Sequence, residues 1–216
     1  MNGRSGVLGL AIAVVVSLLP AGVGAVPIAL PPPDTSQSSV FQQTQNNPCV
    51  IGNPSCNNPA GFAFTVLPVN PSSPQITPSP TYTVGQITTL LGGNTSFFIG
   101  IDISQAQGQA AYTLNSFTVN VGGADAFQFT GPIDLTSSGN GFSDALLKTI
   151  DLSSFAGSAP VIFTVNFSND NGAREQFFLV SSDALPTPVP EPATLVLLGT
   201  TMAGLGFARR RWRRTQ

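Results

Sequence analysis

The chain has no histidine. That excludes a Ser-His-Asp triad, a Cys-His pair and any His-ligated metal centre. Charge is also scarce, at 8% of residues, against roughly 25% in ordinary soluble domains. Ser, Thr, Asn, Gln and Gly must therefore do most of the solvation, a pattern that suits an extracellular β-rich protein. Positive charge is nearly absent from the middle. Between residues 26 and 190 the only bases are Lys148 and Arg174, against nine acids. A body of net −7 repels phosphate backbones, so nucleic acid is not an expected partner. Only two cysteines occur, in Cys49-Val-Ile-Gly-Asn-Pro-Ser-Cys56. In an exported chain this spacing points to a local disulfide, and with no other soft ligands no metal site is expected there. No cofactor is expected either.

What is present concentrates at the two ends. Arg4 precedes an uncharged, mostly apolar run from Gly6 to Leu19, which Pro20 breaks. Small residues follow, with Val23 and Ala25 in the positions that signal peptidase reads. The reading is a signal peptide over 1–25, cut after Ala25.

The other end has three parts. Pro188-Val189-Pro190-Glu191-Pro192 is stiff and extended. Ala193 to Ala208 is a run of 16 uncharged residues, about 24 Å as a helix, slightly short of a bilayer core. Arg209, Arg210, Arg211, Arg213 and Arg214 then surround Trp212. Arginines snorkel and Trp favours the interface, so a single transmembrane helix is expected with its basic tail (209–216) in the cytoplasm and the acidic body across the membrane.

This order of parts resembles the PEP-CTERM sorting signal: Val189, Pro190, Glu191 and Pro192 as the motif, Ala193 to Ala208 as the membrane anchor and the arginines as the basic stop. Thr201-Met202 departs from the Gly-Leu often found there, without changing the hydrophobic length. The resemblance implies an exported protein of a Gram-negative-type bacterium, anchored in the inner membrane as an intermediate. Signal peptidase and an exosortase would be its processing partners. It also implies a final place at the cell surface or in the extracellular matrix, with exopolysaccharide of a biofilm as a candidate partner.

The remainder predicts a mostly β fold. Residues 26–60, rich in Pro, Ser, Gln and Asn, read as a disordered leader with one disulfide-pinned turn. Residues 61–183 read as an antiparallel β-sandwich, jelly-roll or Ig-like, and 184–192 as a Pro-rich linker. Phe62–Leu67 is a candidate short strand, and Phe97 to Ile101 a second strand segment. In Ala111 to Val121 the apolar parity slips near Asn115-Ser116, which predicts a bulge or face change. Val161, Phe163, Val165 and Phe167 alternate inward, and 175–181 reads as the returning strand of a hairpin. Ser143 to Lys148 is expected to form one helical turn.

No catalytic set emerges, and the chain is expected not to be an enzyme. Asp102, Asp125, Asp134, Asp151 and Asp170 sit in turn-like contexts where Asp bonds its own backbone. Two alternatives stay open. One is a carbohydrate- or calcium-binding module, with Asn169-Asp170-Asn171-Gly172 and Glu175 as candidate oxygen ligands. The other is a secreted hydrolase using two carboxylates.

Overall fold

A computed structural model describes residues 26–36, 40–68, 74–104, 111–137, 141–168 and 175–184. The signal segment 1–25, the Asn169–Gly172 loop and the tail from 185 onward lie outside the described residues.

The described chain is mostly β, as the alternating apolar patterns predict. In chain order the strands are β1 (Ile28–Ala29), β2 (Cys49–Gly52), β3 (Thr65–Val66), β4 (Gln75–Pro78) and β5 (Tyr82–Thr83). Helix α1 (Val84–Leu90) follows, then β6 (Ser96–Asp102), β7 (Tyr112–Val121), β8 (Ala124–Leu135), β9 (Ala145–Asp151), β10 (Pro160–Ser168) and β11 (Gln176–Ser181). A single 3₁₀ turn, Ser182–Ala184, ends the described chain. One sheet has the order β1-β8-β7-β10-β4, with β5 also on β10; the second has the order β3-β2-β11-β6-β9. The sheets are mixed rather than purely antiparallel, because β1 joins β8 and β3 joins β2 in parallel.

One apolar core lies between the two sheets. In β10, Val161, Phe163, Val165 and Phe167 are all buried while their neighbours are not, as alternation requires. In β7 the register against β8 shifts between Leu114 and Ser116, the expected bulge. The extra residue keeps Tyr112, Leu114, Phe117, Val119 and Val121 all in the core despite the parity slip. Phe117 of the first sheet stacks on Phe177 of the second at 6.0 Å between ring centroids, and Phe97 meets the edge of Phe163 at 6.2 Å.

Three sequence expectations are corrected. The described parts of 26–60 are not a disordered leader. They supply β1 and β2, and β2 is buried along its whole length. The Asn and Gln residues that suggest disorder act here as backbone partners. Asn58 accepts from the Cys49 N–H (2.8 Å) and donates to the Cys49 carbonyl (2.9 Å). Gln43 accepts from the Asn57 N–H (2.9 Å) and donates to the Asn57 carbonyl (3.1 Å). The leader also covers the outer face of the second sheet, where Phe41 and Cys49 pack with Phe98, Leu146, Phe178 and Val180.

That cover explains the second correction. Residues 161–167 and 175–181 do not form a hairpin, because β10 lies in the first sheet and β11 in the second. Phe177-Phe178-Leu179-Val180 is apolar on both parities and fills a strand buried on both faces. Third, residues 143–148 form no helical turn. Ala145 and Leu147 face the core while Leu146 faces the leader, so this stretch belongs to β9. The helix is α1, opened by a capping box in which Thr83 accepts from the Gln86 N–H and Gln86 accepts from the Thr83 N–H. Of the candidate strand over 62–67, only Thr65–Val66 pairs.

Candidate functional site

The sorting motif is approached through β11. This strand is central in its sheet, flanked by β2 and β6. Its last residue, Ser181, pairs with Phe97, and the Asn94 side-chain amide donates to the Ser181 hydroxyl at 2.9 Å. The chain therefore stays pinned up to the turn at Ser182–Ala184. Pro190 lies six positions beyond Ala184. An extended chain of that length spans at most about 20 Å. The residues Val189 to Arg214, like Ala25, lie outside the described residues.

Cys49 and Cys56 are joined in a disulfide, as the spacing predicts. It ties the first residue of β2, the strand that flanks β11, to Cys56 just beyond the strand's end.

The acids divide into two kinds. Contrary to the turn reading, Asp151 is the last residue of β9 and Asp125 and Asp134 lie within β8. Asp34 accepts from the Ser36 N–H (2.8 Å) and pairs with Lys148, and the Lys148 ammonium, with Ser36, lowers its pKa to about 2. The Asp151 carboxylate accepts from the Ser153 N–H (2.9 Å), which holds its pKa below the usual range. Asp125 and Asp134 accept from Asn120 and Thr113 side chains. Asp102 is a correction: it is no turn residue but the buried last residue of β6. Burial first, and the Asp144 charge second, push its pKa up to about 7. A backbone hydrogen bond from the Gly141 N–H partly offsets this. Sequence reasoning missed this group, although an Asp directly after the apolar run Phe97 to Ile101 was a signal for it.

A groove of about 550 Å³ runs between Pro59–Phe62 and one side of α1, lined also by Thr83, Gln86 and Thr89. Phe62 backs it, stacked on Tyr82 at 4.6 Å. Tyr82 is held in place by donating to the Ala63 carbonyl (2.8 Å), and burial raises its pKa. The groove has no acid or base in its lining, so it presents no general acid–base pair. Among the described residues no group of three or more His, Cys, Asp or Glu comes together, and no helix is long and apolar enough to cross a membrane.

Comparison with known families matches residues 188–214 to the PEP-CTERM protein-sorting motif. The chain carries a PEP-CTERM sorting motif. The match begins four residues after the last described residue, Ala184, and takes in Pro190-Glu191-Pro192, the apolar run and all five C-terminal arginines. A PEP-CTERM motif implies an exosortase as the processing partner, export, and a membrane-anchored intermediate in Gram-negative bacteria. No curated protein and no solved structure matches the chain.

Proposed function

We propose that this is an exported, non-enzymatic surface or extracellular-matrix protein, associated with exopolysaccharide and delivered by its PEP-CTERM tail. The observation that supports this reading most is the motif match at 188–214, placed just beyond a folded β body. Signal peptidase removes residues 1–25, the Ala193–Ala208 helix holds the intermediate in the inner membrane, and an exosortase acts near Pro190-Glu191-Pro192. The body is a two-sheet sandwich whose acidic, His-free surface makes a structural or adhesive component rather than a catalyst. A cut near the motif leaves the pinned strand β11 intact, so processing need not unfold the body.

Intact mass of the mature protein from its native host tests the reading. A mass that begins at Val26 and ends near Pro190 is the expected result. A chain deleted for 190–216 should change its fractionation between membrane and extracellular material. Unchanged localisation and unchanged mass would reject the proposal.

A further inference from the structure

The groove between the Pro59–Phe62 turn and α1 has two braced walls. On one side the Phe62 N–H donates to the Pro59 carbonyl (3.1 Å), and Gly61 takes the positive φ of 85° that this turn requires. The Asn58 amide donates to the Phe62 carbonyl (3.3 Å). The Phe62 ring stacks on Tyr82 at 15° from parallel. Phe62 is nevertheless only half-buried and lines the groove, so the part of the ring that Tyr82 leaves uncovered is turned toward it. On the other side α1 is anchored by buried Val84 and Ile87, which leaves Gln86 and Thr89 exposed along the groove.

The donors that could hold an anion here are already spent. Val84 donates its N–H to the Ala159 carbonyl (3.0 Å), Gly85 to the Gly157 carbonyl (2.8 Å) and Gln86 to the Thr83 hydroxyl oxygen (3.1 Å). The first turn of α1 thus keeps no backbone donor for a phosphate or carboxylate, and the lining has no cation. An acidic chain would also meet a body of net −7 between residues 26 and 190. What remains is uncharged and of both polarities. The Thr83 hydroxyl accepts from Gln86 and keeps its own proton to donate. Gln86 spends Oε1 on the Thr83 N–H (2.8 Å) and keeps its NH2 group. The Thr89 hydroxyl donates to the Gly85 carbonyl (2.7 Å) and keeps its lone pairs. Sugar hydroxyls use donors and acceptors side by side, and the C–H face of a sugar ring seats against the negative face of an aromatic ring. The volume of about 550 Å³ lies within the range of small-molecule sites. We infer that this groove binds a short stretch of a neutral hexose polymer, with Phe62 as the platform and Thr83, Gln86 and Thr89 as partners of its hydroxyls. The inference rests on the reading of the protein as a matrix component and names the kind of polysaccharide that its body holds.

The test is titration calorimetry of the exported protein with neutral oligosaccharides of glucose, of galactose and of mannose. An oligogalacturonate of the same length is the anionic control. The expected result is binding of at least one neutral probe with a Kd of about 1 mM or tighter, and none of the oligogalacturonate. With no charge in the lining, the affinity should not change with salt. Phe62→Leu keeps an apolar side chain against Tyr82 but removes the flat ring, and should weaken binding about tenfold. Thr89→Arg, at an exposed helix position, should block the groove and leave the melting temperature near that of the wild type. Folded protein that binds no neutral probe would overturn the site. So would an affinity unchanged in both variants, or a preference for the oligogalacturonate. Any of these failures would leave the mass and fractionation of the exported protein as expected. A failure of the sorting reading would change the mass or the fractionation and leave the calorimetry untouched.

Discussion

Gly100 and Phe178 face each other directly across β6 and β11, and the Phe178 ring fills the space that a Gly100 side chain would need. A Cβ on Gly100 would lie 2.4 Å from both Cε2 and Cζ of that ring. The pair sets the packing of the outer cluster, where Phe178 meets Phe41, Cys49 and Leu146. It thereby fixes the strand from which the sorting tail departs.

Gly100→Ala should therefore destabilise the body by about 1–3 kcal/mol, the range for overpacking a filled core. Chemical denaturation reads this directly. Phe178→Leu in the same background should recover part of the loss, so the two substitutions should be non-additive in a double-mutant cycle. Additive losses would mean that the ring and the glycine do not share the space.

The leader should behave as part of the core. Replacing both Cys49 and Cys56 by Ser should cost about 2–3 kcal/mol, the chain-entropy value for so short a loop. Gly52→Ala should strain the same region, because its Cβ would lie 2.6 Å from the Cys56 sulfur. Asn58→Ala removes both side-chain bonds to Cys49 and should speed amide exchange at Cys49 relative to β10. Equal protection in wild type and variant would show that the leader does not rely on Asn58.

Stability should depend on pH through two carboxylates of opposite sign. Asp34 has its pKa lowered to about 2, from 3.8. Its contribution is present above 3.8 and is lost as pH falls through 2. Asp102 has its pKa raised to about 7, from 3.8. Its contribution is present below 3.8 and is lost as pH rises through 7. Urea denaturation across this span should show a loss at each side. Lys148→Met should weaken the acid limb, and Asp102→Asn should flatten the neutral one. If the neutral limb persists in Asp102→Asn, another group is responsible.

The contact between sheets should dominate the core. Phe117→Ala removes the ring stacked on Phe177 and should cost about 3–5 kcal/mol, as measured for buried Phe truncations. The denaturant slope should stay unchanged, since the surface exposed on unfolding hardly differs. A loss below about 1 kcal/mol would contradict full burial of this ring.

Much of this was legible in the residues. The Val161–Phe167 alternation named its buried face, and the parity slip at Asn115-Ser116 marked the bulge. The Thr83-Val84-Gly85-Gln86 capping box is a local signal that marks the start of α1. The tail was legible because a sorting signal is linear: its order of motif, apolar run and arginines is the information. Other features had no local signature. Residues 176–181 are apolar on both parities, but only the three-dimensional arrangement puts β2 and β6 on either side of them. The same Asn and Gln side chains read as disorder until their backbone partners, up to 14 positions away, are in place. Asp102 looked like a turn residue until β6 and β11 paired and buried it opposite Gln176. The physical reason is common to all of these. Hydrophobic period and capping chemistry act within a few residues, so the chain alone determined which face of each strand is buried and how the protein is addressed. Strand neighbours and the burial of a charge depend on closing long loops against one shared core, so only the tertiary structure decided them.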